Sequence, residues 1–149
     1  MKVPPIVRLE LGSRYVFKGW STGERRPAIR VRVEGEVVLE ARYGVQHLVV
    51  VESEYGSAKG SGWYDEGSTV TISVEPTSVD LDVLRRAVFV GWRGTVTSSS
   101  PSVSVTVNAP VHAVAEWKIQ YKVEVVAALA VAAAALAVIA VYLIRKRSK

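Results

Sequence analysis

Apolar and polar residues alternate along much of the chain before residue 124. Ile29, Val31 and Val33 are separated by Arg30 and Arg32, Val70, Ile72 and Val74 by Thr71 and Ser73, and Val103, Val105 and Val107 by Ser104 and Thr106. Successive side chains of a strand point to opposite faces, so each run offers one apolar face to a core and one polar face to water. Turn-forming residues separate the runs at Gly56 to Gly62, Glu75-Pro76, Ser98 to Pro101 and Asn108 to Pro110. No window before residue 124 repeats with the period of a helix. The pattern predicts an all-β outer part built of small antiparallel units.

The pattern changes at Val125. From there to Ile144 no residue carries a charge, Gly and Pro are absent, and Arg145, Lys146, Arg147 and Lys149 follow at once. A helix over this stretch is roughly 30 Å long, the thickness of a bilayer's hydrocarbon core. Lipid offers the backbone no hydrogen-bond partners, so a closed helix is the form the stretch can take there. A buried helix of a soluble core is the competing reading, and a small β domain has no other helices to wrap it. Small residues four apart, Ala128/Ala132 and Ala133/Ala137, would let two such helices approach closely. With nine alanines between 125 and 144 this pairing is a weak signal, but it leaves room for homo-oligomers.

The cations after the span form a membrane stop and, by the positive-inside bias, place the tail in the cytoplasm and the N-terminal domain outside the cell. They also lie where anionic lipid headgroups would be met. The opening Met1-Lys2-Val3-Pro4-Pro5 runs into charged, strand-like sequence without an apolar leader. Insertion through the C-terminal span alone would leave the domain inside, and a processed or incomplete N-terminus would leave it outside. The external placement is the expectation.

Sliding the chain against itself reveals a repeat. Arg14-Tyr15-Val16-Phe17-Lys18-Gly19-Trp20 aligns with Arg86-Ala87-Val88-Phe89-Val90-Gly91-Trp92 at a shift of 72. Upstream, Val7-Arg8-Leu9-Glu10-Leu11 matches Val79-Asp80-Leu81-Asp82-Val83 in pattern. Downstream, Ala41-Arg42-Tyr43 falls against Ala115-Glu116-Trp117 at a shift of 74, so a loop after the Gly-Trp pair differs by two residues. Aligned core positions around a variable loop are what a duplicated unit gives. The first copy has no counterpart of Tyr55-Gly56 through Gly67. An incomplete β unit leaves an unpaired edge, which invites another chain to add a strand. The expected organisation is a partial first repeat (1–45), a complete second repeat (46–118), a linker strand (119–124), a transmembrane helix (125–144) and a basic cytoplasmic tail (145–149).

The second unit resembles the divergent internalin-B B-repeat of bacterial and archaeal surface proteins. The resemblance is carried by Gly60-Ser61-Gly62-Trp63-Tyr64-Asp65-Glu66-Gly67-Ser68-Thr69-Val70-Thr71-Ile72, then Phe89-Val90-Gly91-Trp92-Arg93-Gly94, and the closing Ala113-Val114-Ala115-Glu116-Trp117. A charged stretch from Asp80 to Arg86 and the aromatic pair Trp63-Tyr64 inside the turn depart from the pattern. The resemblance implies compact β modules serving as spacers or adhesive units on a cell surface, with no catalytic residues to carry over.

Composition narrows the function further. The 19 Lys and Arg against 14 Asp and Glu give a net charge of +5, but four cations sit in the tail and leave 15 against 14 elsewhere. The folded part is nearly neutral, which removes the electrostatic case for nucleic acid. The absence of Cys excludes disulfides and thiolate metal sites. One Asn, two Gln and one Met suggest a thermophilic source.

Individual residues point to packing more than to chemistry. Phe17, Trp20, Phe89, Trp92 and Trp117 occupy equivalent repeat positions and are expected in the core, with Gly19 and Gly91 allowing close approach. Tyr55, Trp63 and Tyr64 flank or sit within a Gly-rich turn and are candidates for a glycan or protein-partner contact, against the alternative that the loop folds them onto the sheet. Asp65 and Glu66 are adjacent and point apart, unlike a catalytic carboxyl pair facing one bond about 5 to 9 Å across. His47 and His112 lack a ligand cluster at metal spacing. Ser98 to Ser100 has no nucleophile-elbow context, and Gly56 to Gly62 has no phosphate-loop Lys or following helix. The expectation is a non-enzymatic, cofactor-free, membrane-anchored surface protein. Its partners would be the lipid bilayer and a surface-layer or other membrane protein. The second expectation is an accessory subunit of a membrane complex.

Overall fold

The computed structural model describes residues 1–9 and 11–147. Glu10, Ser148 and Lys149, the last cation of the predicted membrane stop, lie outside the described residues. The β-branched, alternating segments form ten strands among the described residues, and one helix follows them. They are β1 (Ile6–Arg8), β2 (Ser13–Trp20), β3 (Ala41–Ser53), β4 (Ser57–Lys59), β5 (Gly62–Asp65), β6 (Ser68–Glu75), β7 (Ser78–Asp80), β8 (Arg85–Gly94), β9 (Ser102–Val107) and β10 (Val111–Tyr121), then α1 (Val123–Arg147). The larger sheet runs β1-β2-β3-β10-β8-β7, with β5 also paired to β3, and a smaller sheet runs β4-β6-β9. Neighbours are antiparallel except β3 and β10, which pair in parallel from Val49↔Val111 to Ser53↔Ala115.

The main core lies between the two sheets. Val70, Ile72 and Val74 from β6 and Val107 from β9 meet Val49 and Val51 of β3, Phe89 and Trp92 of β8, and Ala113 and Ala115 of β10. Alternation along β6 places every second residue inside, as its sequence predicts.

The duplication is visible strand by strand. β1-β2-β3 recurs as β7-β8-β10. Ile6↔Val16 and Val7↔Tyr15 in the first copy match Ser78↔Val88 and Val79↔Ala87 in the second. Phe17↔Tyr43, Gly19↔Arg42 and Trp20↔Ala41 match Phe89↔Trp117, Gly91↔Glu116 and Trp92↔Ala115, with a register shift before the glycine in both. Even a bond outside the strands repeats: the Phe17 N–H donates to the Pro5 carbonyl and the Phe89 N–H to that of Thr77, each at 2.9 Å. The two-residue difference is located as well. The Trp20 N–H reaches the Glu24 carbonyl, whereas the Trp92 N–H reaches Ser98, so the longer loop is Arg93–Thr97 against Ser21–Gly23.

Two expectations need correction. The alternating run Ile29 to Val33 is not a strand, and only Ala28, bridged to Lys2, touches a ladder there. Alternation predicts an amphipathic segment, but a strand also needs a neighbour to bond with, and none lies beside residues 30–33. Trp63-Tyr64 is not in a turn. Gly60, at φ +109° and so close to the ladder that a Cβ would stand 2.9 Å from the Thr71 carbonyl oxygen, reverses the chain early, and the aromatic pair returns as β5 against Leu48 and His47.

β3 runs unbroken from the closing strand of the first copy into the opening strand of the second, so the two units share it. Ile119 to Tyr121, expected in the linker, continue β10, and the Lys122 N–H is held by the Leu84 carbonyl at 2.8 Å. α1 starts at the next residue and buries none of its side chains against the sheets.

Candidate functional site

The aromatic residues form two equivalent clusters and one separate surface feature. In the first copy Phe17 meets Trp20 edge-on at 5.6 Å and Tyr43 at 5.7 Å, and in the second Phe89 meets Trp92 at 5.5 Å and Trp117 at 5.9 Å. Trp20 and Trp92 are each 2% exposed. Their indole N–H groups donate to the carbonyls of Arg26 at 2.9 Å and Ser100 at 3.1 Å, so each ring closes one end of its unit and is satisfied there. Phe17 and Trp117 are half-buried.

The three proposed contact aromatics are not brought together. Tyr55 packs edge-on against Trp117 at 5.7 Å, and Tyr64 packs on the main core. Trp63, its neighbour on β5, points the other way. Its ring lies under the Arg14 guanidinium at 4.2 Å, a cation–π contact across the two units. Trp63 and Arg14, with Ile6, Arg8, Leu9 and Ser13, line an open groove of ≈ 680 Å³. Of the three, Trp63 is the one whose placement suits an external contact.

Polar links fasten the units to each other. Lys18 Nζ donates to both Asp65 oxygens, at 2.8 and 3.0 Å, and Gln46 Nε2 donates to Oδ1 at 3.0 Å. The hydrogen bonds from Lys18, then that from Gln46, hold the Asp65 carboxyl below its ordinary range. Arg14 completes the chain by donating twice to Gln46 Oε1, at 2.9 and 2.8 Å. His47 is buried on β3 with Nδ1 2.9 Å from Ser13 Oγ and Nε2 3.6 Å from Glu66. These links join residues distant in sequence, and alternation gives no sign of them. Lys18 and Asp65 are the kind of opposite pair that only the β2–β3–β5 register reveals.

Among the described residues no group of three His, Asp or Glu side chains is placed to hold a metal ion. His112 pairs singly with Glu52 at 3.0 Å, and Asp65 and Glu66 face different partners, Lys18 and His47. At the base of the β domain, Leu84, Tyr121, Val123, Val126 and Leu129 line an apolar hollow of ≈ 490 Å³ where the helix leaves the sheet. Arg145, Lys146 and Arg147 fill the last turn of α1, and Lys149 is beyond the described residues.

These features define a β-repeat module joined directly to an apolar helix long enough to cross a membrane. Residues 47–120 match the divergent InlB B-repeat domain, and the chain carries one domain of that family there. No curated protein matches the chain and no solved structure does. The family is a repeat domain of surface proteins and not a known enzyme family, and the C-terminal helix fits a single-pass membrane anchor.

Proposed function

We propose that the chain is a single-pass, membrane-anchored cell-surface protein whose β-repeats act as a structural or adhesive spacer, with no catalytic role. The observation that carries this reading is the junction. The last strand of the repeat ends at Tyr121, the helix begins at Val123, and the intervening Lys122 is bonded to Leu84. A module continuous with its span holds whatever it binds at a fixed distance from the bilayer. The helix presents its whole apolar surface outward, as lipid requires, and three described cations close it on the cytoplasmic side. Tyr121 sits at the level where amphipathic rings favour the headgroup region. The partner in this reading is a surface-layer or other membrane protein, and paired alanines on α1 suit close helix contacts between copies.

Protease shaving of intact cells, with mass spectrometry of the released peptides, tests it. Release of peptides from residues 1 to 118 with the tail protected is the expected outcome. Protection of those residues until the cells are lysed would place the domain in the cytoplasm and remove the surface role. A stoichiometric set of membrane proteins retained after mild detergent extraction would instead favour an accessory subunit whose β domain caps the complex.

A further inference from the structure

The second unit shows what ought to lie against the exposed parts of the first. At the shift of 74, Ile29 to Val33 correspond to Val103 to Val107, the body of β9. The equivalence extends to the backbone at its start. The Val3 N–H donates to the Pro27 carbonyl at 3.0 Å, as the Val74 N–H donates to that of Pro101 at 3.0 Å. In the second unit the ladder then continues along β6, from Ser73↔Ser102 to Ser68↔Val107. In the first it stops at Ile29, whose N–H and C=O exchange bonds with Met1 at 3.0 and 2.9 Å.

Beyond that point the segment is prepared for a neighbour that is not there. In an antiparallel ladder alternate residues bond the same side, so the Val31 and Val33 N–H groups point where the Ile29 N–H points. Val107 is fully buried under its sheet, whereas its counterpart Val33 is 70% exposed, and Val31 is 38% exposed. A groove of ≈ 660 Å³ runs along this edge, lined by Thr22, Arg26, Ile29, Arg30 and Val31 among others. The polar positions differ in chemistry between the units. Ser104 and Thr106 face Thr71 and Thr69 of β6, but Arg30 and Arg32 stand in their places in the first unit. Arg32 has an exposed pairing with Glu34 at 3.4 Å, and Arg30 has no ionic partner among the described residues.

We propose that the edge Ile29–Val33 accepts a β-strand from another protein, added antiparallel, with apolar residues at alternate positions and carboxylates between them. The apolar side chains would cover Val31 and Val33 as Val70 and Ile72 meet the β9 valines, and the carboxylates would meet Arg30 and Arg32. Main-chain bonds supply affinity in such additions, and the alternating side chains supply selectivity. The inference stands on the first unit alone and does not depend on the span or its orientation.

The test uses the full chain in detergent micelles and three labelled peptides. One copies Ser68–Glu75, one has glutamate at positions 69 and 71, and one has lysine there. The glutamate peptide is expected to bind saturably, about tenfold more tightly than the lysine peptide, and to protect the amides of residues 30–33 from hydrogen exchange. Charge reversal, R30E with R32E, is expected to invert that order. Val31→Pro removes a donor aimed at the added strand but none that is bonded in the free chain, so binding should be lost with the unfolding midpoint unchanged. Equal binding of all three peptides, unimpaired binding to Val31→Pro, or protection elsewhere would overturn the proposal. So would self-association of the chain that Val31→Pro abolishes, because the occupant would then be a second copy.

Discussion

Phe17 meets Trp20 and Phe89 meets Trp92 in almost the same geometry, on strands of matching register, yet the two units are covered differently. Over the second lies the sheet β4-β6-β9, and its valines and isoleucine close a core. Over the first lies no second sheet among the described residues, and its buried apolar side chain is Trp20. The same contrast holds at the closing strand, where Val111 is 6% exposed and its counterpart Val37 is 45% exposed. A three-stranded ladder with satisfied backbone bonds can therefore be repeated without repeating the core. Burial comes from the layer above, and hydrophobic free energy follows burial rather than strand content.

The most severe way to break this comparison is to remove apolar volume at matched places in the two units. Ile72 is fully buried at the centre of the main core, so Ile72→Ala should cost about 3 kcal/mol through lost transfer energy and the cavity left behind. Val31→Ala, on the uncovered edge of the first unit, should stay within about 0.5 kcal/mol. Denaturant unfolding in micelles measures both. Similar losses for the two would mean that the first unit has a hidden core of its own.

A finer break separates the two tryptophans, which are equally buried but unequally supported. Trp92 belongs to the continuous core, and Trp92→Ala should cost about 3 to 5 kcal/mol and lower protection across β6, β8 and β10 together. Trp20 is enclosed chiefly by Phe17 and the Glu24–Arg26 turn that its backbone and indole N–H groups hold. Trp20→Ala should cost about 2 kcal/mol and loosen residues 20–28 while leaving the second unit's amides protected. Hydrogen exchange read peptide by peptide distinguishes these patterns. A global loss from Trp20→Ala would show that the units unfold as one.

The same contrast explains what could be read before the structure was seen. The repeat, the strands β6, β8 and β9, and the apolar helix were legible because each leaves a local signature in alternation, a Phe-x-Gly-Trp run or an uninterrupted apolar stretch. Ile29 to Val33 carries the same local signature and misled, since pairing depends on a neighbour that the segment does not encode. The parallel β3–β10 junction was illegible for a related reason. Its partners lie 62 positions apart, from Val49↔Val111 onward, and parallel pairing leaves no turn between them. Trp63 looked like a turn residue because the glycines around it were visible and the tight reversal at Gly60 was not. Its contact with Arg14 follows from the sheet order alone.

The smallest expected effect concerns the link between the units. Lys18 belongs to the first and Asp65 to the second, and both are about half exposed, so their ion pair should contribute no more than about 1 kcal/mol. Its pH dependence has a definite sign. The folded state holds the Asp65 carboxyl below the ordinary value of 3.8, so the contribution is complete above that value and is lost as pH falls through the lowered one. Asp65→Asn should therefore cost a little stability at neutral pH and cost nothing in strong acid, where the wild-type carboxyl is itself protonated. Gly44→Ala offers an independent check from the opposite strand. A Cβ there would stand 2.6 Å from Lys18 Cε, close enough to push the flexible lysine off its partner without disturbing the ladder. Both variants should raise exchange at β2 and β5 at neutral pH and leave β6 unchanged. Loss of protection in β6 would mean that Lys18 and Asp65 support the core of the second unit and do more than clasp the first one to it.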